Sequence, residues 1–260
     1  MLKRVVVFAY GVASYGVFFA TFLYAVGFIE NLVVPKTMDS PSRMSFVYAL
    51  AIDVVLLGVF AAQHSVMARP WFKRAWTGLV PEPAERSTYV LFSSLALIAL
   101  FAFWQPLGGT VWNIENPTGR LMMYQLYGLG FGMVLLATFL INHFDLFGLR
   151  QVWLYLVGKP YTQLTFRTPL FYKYIRHPLY VGWFMVFWFT PTMTGARLLF
   201  AVMTTGYILM AVRWEENDLI ELHGEQYVQY RESVPAFIPN GSSARTAAAV
   251  ATQPAAEKAA

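Results

Sequence analysis

Residues 5–29, VVVFAYGVASYGVFFATFLYAVGFI, form a long apolar run that contains no charged side chain. A helix needs about 20 apolar residues to cross the hydrocarbon core of a membrane, so this run predicts a membrane span. The run is too long for a signal-peptide core and lacks a small-residue cleavage pattern, so we expect the span to be retained. The whole chain is 57% hydrophobic and 13% charged, with a mean hydropathy of +0.49, which indicates a membrane protein without a sizeable soluble domain.

The same criterion predicts an all-α, polytopic transmembrane helix bundle of about six spans. The predicted spans are Val5–Ile29, Phe46–Gln63, Tyr89–Trp104, Leu121–Asn142, Tyr180–Met193 and Leu198–Trp214. The fifth is short and has Pro191 near its far end, so it either begins earlier than predicted or tilts. Only residues 194–197 separate the last two spans, which must therefore form a tight antiparallel hairpin. We expect one domain over residues 1–239 and a disordered tail, rich in Ala, Ser and Thr, over residues 240–260.

Positive charge is distributed unevenly along the chain. Most of the 19 Lys and Arg residues lie in the N-terminus, the second and fourth loops and the C-terminal segment, whereas the other loops hold Lys36, Arg43, Arg120 and Arg197. By the positive-inside rule, six spans with both termini in the cytoplasm fit this distribution. All 4 histidines then fall near cytoplasmic span ends, which predicts that any chemistry lies at that face. The outer loops, such as residues 110–119, are predicted to be plain connectors.

The composition also limits the partners. A net charge of +5 and a pI near 9.4 suit a surface that faces anionic lipid headgroups. Nucleic acid is not expected, because no basic stripe alternates with exposed aromatic side chains. The chain contains 0 cysteines, which removes disulfides, thiolate metal sites and iron–sulfur clusters. No pattern indicates a metal site or an obligatory protein partner.

Two polar clusters bracket the predicted hairpin, at residues 176–182 (RHPLYVG) and 213–216 (RWEE). Each has an ordinary explanation: a basic flank with proline in the first helical turn, and a helix end emerging into water. Charged groups beside a span are costly, however, and the hairpin would bring both clusters to the same side. Arginine and histidine at a helix N-terminus suit a carboxylate, while paired glutamates suit an amino group, ribose hydroxyls or a cation. We therefore interpret the two clusters as one site.

Two further groups contain histidine, at Asn142-His143-Phe144-Asp145 and Gln63-His64-Ser65. His143 is either an interfacial side chain satisfied by Asp145 or a functional group, and the residues alone do not separate these readings. His64 lies one turn inside a predicted span and is harder to explain as a flank. Aromatic side chains near the polar groups are candidates to hold a sulfonium by cation–π contact: Tyr172, Tyr174, Tyr180, Trp183 and Trp214.

The spacing of these residues resembles a known family. Arg176-His177-Pro178-x-Tyr180-x-Gly182 is similar to the signature of integral-membrane methyltransferases of the isoprenylcysteine carboxyl methyltransferase type. The resemblance covers the C-terminal third and continues in Glu215-Glu216-x-x-Leu219, Gly224-x-x-Tyr227-x-x-Tyr230 and Val234-Pro235-x-Phe237-Ile238-Pro239. The N-terminal part resembles the nurim/NnrU-like branch, through Gln63-His64-Ser65, Arg69-Pro70-Trp71-Phe72 and residues 142–148.

This resemblance implies an enzyme of the bacterial inner membrane with a cytoplasmic active site. It implies S-adenosylmethionine (SAM) as methyl donor and a small thiol, methanethiol, as acceptor, giving dimethyl sulfide. The implied SAM site lies mainly in residues 172–239, with Tyr174, Arg176, His177, Pro178, Tyr180, Gly182, Arg213, Glu215 and Glu216 as its residues. Residues 234–239 would lie over the donor.

A base for the thiol is also needed, since the thiolate is the nucleophile. The candidates are His64 and His143, the latter oriented by Asp145. Alternative acceptors are another thiol, a prenylated cysteine or a lipid headgroup. Alternatives of another class are a haem or redox membrane protein and a structural membrane protein.

Overall fold

The computed structural model describes residues 1–41 and 44–239, so the tail predicted to be disordered at 240–260 lies outside the described residues. In chain order the described elements are α1 (Leu2–Glu30), α2 (Phe46–Ala68), α3 (Pro70–Trp76), α4 (Glu85–Phe103), β1 (Thr110–Asn113), α5 (Pro117–Ile141), α6 (His143–Leu146), α7 (Leu149–Leu156), α8 (Pro178–Trp188), β2 (Thr192–Thr194), α9 (Gly195–His223) and α10 (Glu225–Ser233). Short 3-10 turns precede α4 at Glu82–Ala84 and α8 at Leu170–Lys173.

Five of these helices, α1, α2, α4, α5 and α9, are long and apolar enough to cross a membrane. The predicted all-α transmembrane bundle is therefore confirmed. The sixth segment, α8, is apolar but has only 11 residues. It is about 16 Å long, roughly half the thickness of the hydrocarbon core.

The starts of α1, α4 and α8 lie at the same end of the bundle as the ends of α2, α5 and α9. Arg86, near the start of α4, donates from Nε to the carbonyl oxygen of Leu146 just after α5, at 2.7 Å. Arg69, at the end of α2, lies 3.1 Å from Asp218 near the end of α9. We call this the site end, and it carries all 4 histidines of the chain, as predicted.

At the far end, the connections are more ordered than predicted. Strand β1 pairs antiparallel with β2, which lies in the turn between α8 and α9. The fifth predicted span is wrong at this end, since α8 stops at Trp188 and Met193 belongs to β2. Pro191 explains the early stop, because it offers no backbone N–H and disfavours a helical conformation in the residue before it.

A buried ion-pair network also ties the far end together, so the prediction of plain connectors there is wrong. Arg197, in the first turn of α9, is 6% exposed and lies 2.8 Å from Glu30 at the end of α1. Its Nε lies 3.0 Å from Asp39 in the following loop. Thr190 donates to the other oxygen of Glu30 at 3.0 Å and also contacts the Arg197 guanidinium. Arg197 therefore fixes the start of α9 to the end of α1.

Helices α5 and α8 cross at backbone contact distance. A Cβ atom on Gly182 would come within 2.8 Å of the carbonyl oxygen of Gly130, and one on Gly130 would come equally close to that of Gly182. Real Cβ atoms do not approach so closely, so only glycine fits on either side. This crossing sets the position of α8 and of the residues that precede it.

Candidate active site

Three side chains form a clasp between the start of α8 and the end of α9. Arg176 Nε and Nη2 each lie 2.8 Å from Glu216 Oε1, and His177 Nε2 lies 2.9 Å from the same oxygen. The Arg176 and Glu216 side chains are both 12% exposed. We call Arg176, His177 and Glu216 the Arg176 clasp. The prediction that the two polar clusters meet is confirmed.

The Arg176 clasp also holds the segment that follows α10. The backbone N–H groups of Arg176 and His177 donate to the carbonyl oxygens of Pro235 and Ala236, at 2.9 and 3.0 Å. Arg176 Nη1 donates to the carbonyl oxygen of Arg231 at 2.8 Å and also bonds that of Val234. The arginine thus satisfies backbone acceptors at the end of α10 while it neutralises a carboxylate.

Aromatic contacts complete the attachment of this segment. The ring of Phe237 lies 5.9 Å from that of His177 and 5.3 Å from that of Phe184, between ring centroids. Tyr230 on α10 donates from its hydroxyl to the carbonyl oxygen of Tyr172 at 2.6 Å. Residues 234–237 therefore pack against the start of α8, whereas the position of residues 234–239 over the donor stays a prediction.

Glu215 differs from its neighbour Glu216 in its surroundings. It accepts one hydrogen bond, from the Tyr180 hydroxyl to Oε2 at 2.7 Å. His177 Nδ1 is 3.9 Å from the same oxygen, and the Glu215 side chain is 44% exposed. Its Oε1 makes no hydrogen bond to any described residue. Glu215 is therefore the carboxylate of the pair that is able to receive a ligand.

Tyrosines surround this open carboxylate. Tyr172 and Tyr227 lie within electrostatic range of Glu215, and burial together with the nearby negative charge raises the pKa of both phenols. Both phenols therefore stay protonated and uncharged at neutral pH. A carboxylate among aromatic rings favours an organic cation, because the faces of the rings and the carboxylate both attract positive charge. The chemistry of this donor set fits a sulfonium or an ammonium group.

The remaining residues predicted for the SAM site take other positions. Pro178 is fully buried as the first residue of α8, and Gly182 lies in the crossing with α5. Tyr174 is 47% exposed, and Arg213 is also exposed. Neither makes a side-chain hydrogen bond or an ion pair with any residue in 1–41 or 44–239. The structure thus brings Arg176, His177, Tyr180, Glu215 and Glu216 together and leaves the other four outside that contact set.

His64 lies in a second polar group, formed by α2, α4 and α9. The Tyr89 hydroxyl lies 2.8 Å from Nε2 and 3.0 Å from Nδ1 of the imidazole. Ser93 Oγ is 3.2 Å from Nδ1, and the Phe60 ring stacks on the imidazole at 5.4 Å between centroids. The next residue, Ser65, is 3.0 Å from the hydroxyl of Tyr207 on α9.

His143 lies in a separate aromatic pocket and is 2% exposed. Thr138 donates its hydroxyl hydrogen to the Leu135 carbonyl oxygen at 2.6 Å, so it must accept from His143 Nδ1 at 2.8 Å. His143 Nε2 must then accept from the Tyr15 hydroxyl, also at 2.8 Å. Burial lowers the pKa of His143, in agreement with this neutral, fully bonded ring.

Asp145 does not orient His143, so that part of the sequence prediction is wrong. Its carboxylate pairs with Arg150 at 2.8 Å and accepts from the Tyr161 hydroxyl at 3.3 Å. The N-cap of α6 explains the difference. Asn142 accepts from the backbone N–H of Asp145, which places His143 and Asp145 in one short turn with different partners.

Sequence reasoning missed the phenols that contact the two histidines, Tyr15 and Tyr89. Both lie inside long apolar helices, where a tyrosine gives no local signal of its role. The polar residues around Tyr89, such as Thr88 and Ser93, were the only available hint of a polar interior in α4.

The chain is similar to characterised proteins over most of its length. A methanethiol S-methyltransferase of Crocosphaera subtropica is 60% identical over 238 residues, which cover 92% of this chain and 93% of the relative. One of Mycobacterium tuberculosis is 48% identical over 238 residues, covering 92% and 98%. Nurim of Rattus norvegicus is 30% identical over 189 residues, covering 70% and 72%. No protein-family model and no solved structure matches the chain. The similarity to both groups, expected from the motifs, is confirmed.

Proposed function

Because the chain belongs to the methanethiol S-methyltransferase family, we propose that it is a membrane enzyme that methylates methanethiol to dimethyl sulfide. The observation that supports a cation-binding site for this reaction is the contrast between two adjacent carboxylates. Glu216 pairs with Arg176, is hydrogen-bonded to His177 and is 12% exposed, whereas Glu215 is 44% exposed and accepts from the Tyr180 hydroxyl.

The methyl donor in this proposal is SAM, bound as a substrate beside Glu215. SAM supplies a methyl group on a positively charged sulfur and also carries an α-amino group. The Glu215 carboxylate attracts one of these cations, and Tyr180, whose hydroxyl donates to it, brings an aromatic ring to the site. The donor set of the site therefore fits this molecule.

The Arg176 clasp has a positioning role in this proposal. Its carboxylate, Glu216, is less available to a ligand than Glu215, because the Arg176 guanidinium pairs with Oε1 and the side chain is only 12% exposed. Arg176 in turn holds the carbonyl oxygens after α10. Loss of the clasp would release residues 234–237 from the start of α8, and the donor site would lose one of its walls.

The location of the site suits the reaction. A thiolate and a sulfonium neutralise each other as the methyl group transfers, so the step is favoured where water is excluded. The site end of an apolar bundle offers such surroundings. The positive-inside distribution favours a cytoplasmic position for this end, and we infer a location in the bacterial inner membrane with both termini cytoplasmic.

Replacement of Glu215 tests the donor site. Glu215→Gln keeps an acceptor for the Tyr180 hydroxyl and removes the charge. A hydrogen bond to a charged group contributes about 1.5–3 kcal/mol, so we expect SAM affinity to fall by about tenfold or more. Isothermal titration of SAM into the full chain in detergent measures the affinity, and headspace detection of dimethyl sulfide measures turnover.

Glu221→Gln is the matched control, because Glu221 is an exposed carboxylate on the same helix. It should leave both SAM affinity and turnover unchanged. Wild-type SAM affinity in Glu215→Gln would remove Glu215 from the donor site. A wild-type protein that binds SAM but forms no dimethyl sulfide from methanethiol would refute the proposed acceptor.

A further inference from the structure

The polar group around His64 occupies the interior of the bundle and has no role in holding the donor. We call His64, Tyr89, Ser93, Ser65 and Tyr207 the His64 cluster. Its members come from three spans. Contacts of 2.8–3.2 Å join His64 to Tyr89 and Ser93, and Ser65 lies 3.0 Å from Tyr207, whose ring is 6.5 Å from that of His64. Polar side chains that meet between membrane helices are costly to maintain, so they indicate function.

The His64 cluster lies inward from the proposed donor site. Tyr207 and Glu215 both lie on α9, eight residues or about 12 Å apart along its axis. Ser65, the neighbour of His64, contacts Tyr207 at 3.0 Å. Arg69, one turn further along α2, pairs with Asp218 at 3.1 Å, and its guanidinium lies 6.0 Å over the ring of Trp214, the neighbour of Glu215. A small molecule beside His64 would therefore lie along the part of α9 that leads to Glu215.

The two candidate bases differ in their connection to this region. His143 donates from Nδ1 to an already committed threonine hydroxyl, and its other nitrogen is covered by Tyr15 and aromatic rings. His64 meets a phenol that lies near both ring nitrogens, and the His64 ring lies 6.5 Å from that of Tyr207 on α9, the helix that carries Glu215. The geometry favours His64 as the base.

We propose that the His64 cluster is the thiol-binding site, an inference that rests on the proposed function. In this site, Tyr89 is a catalytic residue that relays the thiol proton to His64. The thiol S–H proton passes to Tyr89 Oη as the phenol proton passes to the unprotonated ring nitrogen of His64. The sulfur lone pair then forms the new bond to the methyl carbon. The electron pair of the broken carbon–sulfur bond stays on the donor sulfur, and the imidazolium later releases its proton to water.

The surroundings of the His64 cluster suit a small, weakly acidic thiol. Arg86, whose guanidinium lies 5.0 Å over the Tyr89 ring, favours negative charge on the phenol oxygen or on sulfur. Gln63 donates to Ser93, and its amide oxygen is buried without a hydrogen-bond partner in the described part of the chain. The Phe60 ring, stacked on His64, adds an apolar surface beside the imidazole.

A comparison of thiols with different acidity tests the relay. The variants are Tyr89→Phe, His64→Ala and, as a more conservative second change, His64→Gln, with Tyr15→Phe as the matched control. Tyr15→Phe removes the corresponding hydrogen bond between a phenol and an imidazole at His143. General base catalysis contributes about 100-fold to 10,000-fold, so the Tyr89 and His64 variants should lose about 100-fold in turnover of methanethiol.

The same variants should bind SAM as the wild type does by isothermal titration. With 2,2,2-trifluoroethanethiol, a small but more acidic thiol, their losses should shrink at least about tenfold, because less proton removal is required. A merely structural role would give the same loss with both thiols. Tyr15→Phe should keep wild-type turnover with each.

The possible failures are distinguishable. Equal losses with both thiols, or a loss in Tyr15→Phe as large as that in Tyr89→Phe, would overturn the relay while leaving the donor site intact. A wild-type chain that does not bind SAM or does not form dimethyl sulfide would instead overturn the proposed function. Full turnover of methanethiol in a folded Tyr89→Phe variant would remove Tyr89 from the mechanism.

Discussion

Gly182→Ala tests whether glycine is needed at this position for ligand binding or for the close crossing of α5 and α8. The sequence motif implies a place beside the methyl donor, whereas the structure places Gly182 against Gly130. The new Cβ would lie 2.8 Å from the Gly130 carbonyl oxygen and 2.9 Å from the backbone nitrogen of Val134. Both neighbours are backbone atoms, so they cannot rotate away as a side chain would.

The expected magnitude follows from these distances. Even favourable C–H···O contacts keep carbon and oxygen about 3.3–3.6 Å apart, so α5 and α8 must separate by roughly 0.5–0.8 Å. Inserting a methyl group into a packed contact costs about 1–3 kcal/mol. A glycine-to-alanine change in an unobstructed helix instead stabilises by up to about 1 kcal/mol. Gly132 on α5 provides that reference, because nothing lies within 4 Å of its Cβ position.

Thermal unfolding of the full chain in detergent gives the first readout. Gly182→Ala and Gly130→Ala should both unfold at lower temperature than the wild type, and Gly132→Ala should not. Titration with SAM gives the second readout. Displacement of α8 moves His177 and Tyr180, so both destabilised variants should bind SAM more weakly. The double variant Gly130→Ala/Gly182→Ala should lose less than the sum, because one separation relieves both contacts.

Gly130→Ala distinguishes a role of Gly182 in ligand binding from a role in the helix crossing, because Gly130 lies on α5 and belongs to no predicted SAM motif. If Gly182→Ala loses SAM affinity at wild-type stability while Gly130→Ala behaves like Gly132→Ala, the crossing is not the reason for the glycine. Gly182 would then face the ligand, as the motif implies.

Two further outcomes follow from buried groups. Arg197→Ala leaves Glu30 buried without its ion-pair partner. Removal of one member of a buried ion pair costs about 3–5 kcal/mol, so we expect a large drop in the unfolding temperature. An unchanged unfolding temperature would mean that this ion pair does not secure the far end. For His143, burial lowers the pKa of the folded state, so below about pH 6.5 the unfolded chain binds a proton that the folded chain resists. Stability should therefore be full above that pH and fall on acidification, and the unfolding temperature of a His143→Gln variant should depend less on pH over the same range.

The adjacent glutamates show how far sequence reasoning reached at the donor site. The motif and the hairpin predicted that Glu215 and Glu216 meet Arg176 and His177, and the distances confirm that contact. They did not distinguish the two carboxylates. Successive residues on a helix point about 100° apart, so one side chain enters the Arg176 clasp and the other turns toward Tyr180.

For the histidines, the sequence predicted the position in the bundle but not the side chains that contact them. Their common position at the site end was predictable from charge and span order. Their partners were not, because Tyr15 and Tyr89 are distant in sequence and lie in apolar helices without a polar motif. Proximity in sequence was misleading for Asp145, which pairs with Arg150 although it lies two residues from His143.

The amino-acid sequence by itself determined the membrane bundle, the end at which its polar groups collect and the resemblance to a family of methyltransferases. Hydropathy, charge and motif spacing are properties along the chain, so they are readable without coordinates. Only the tertiary structure decided that Gly182 faces a helix, that Glu215 remains open and that Tyr89 meets His64. Those outcomes depend on how each helix is rotated about its axis and how closely it approaches its neighbours. Rotation and approach are set by packing between residues far apart in sequence, such as Gly130 with Gly182 and Glu30 with Arg197.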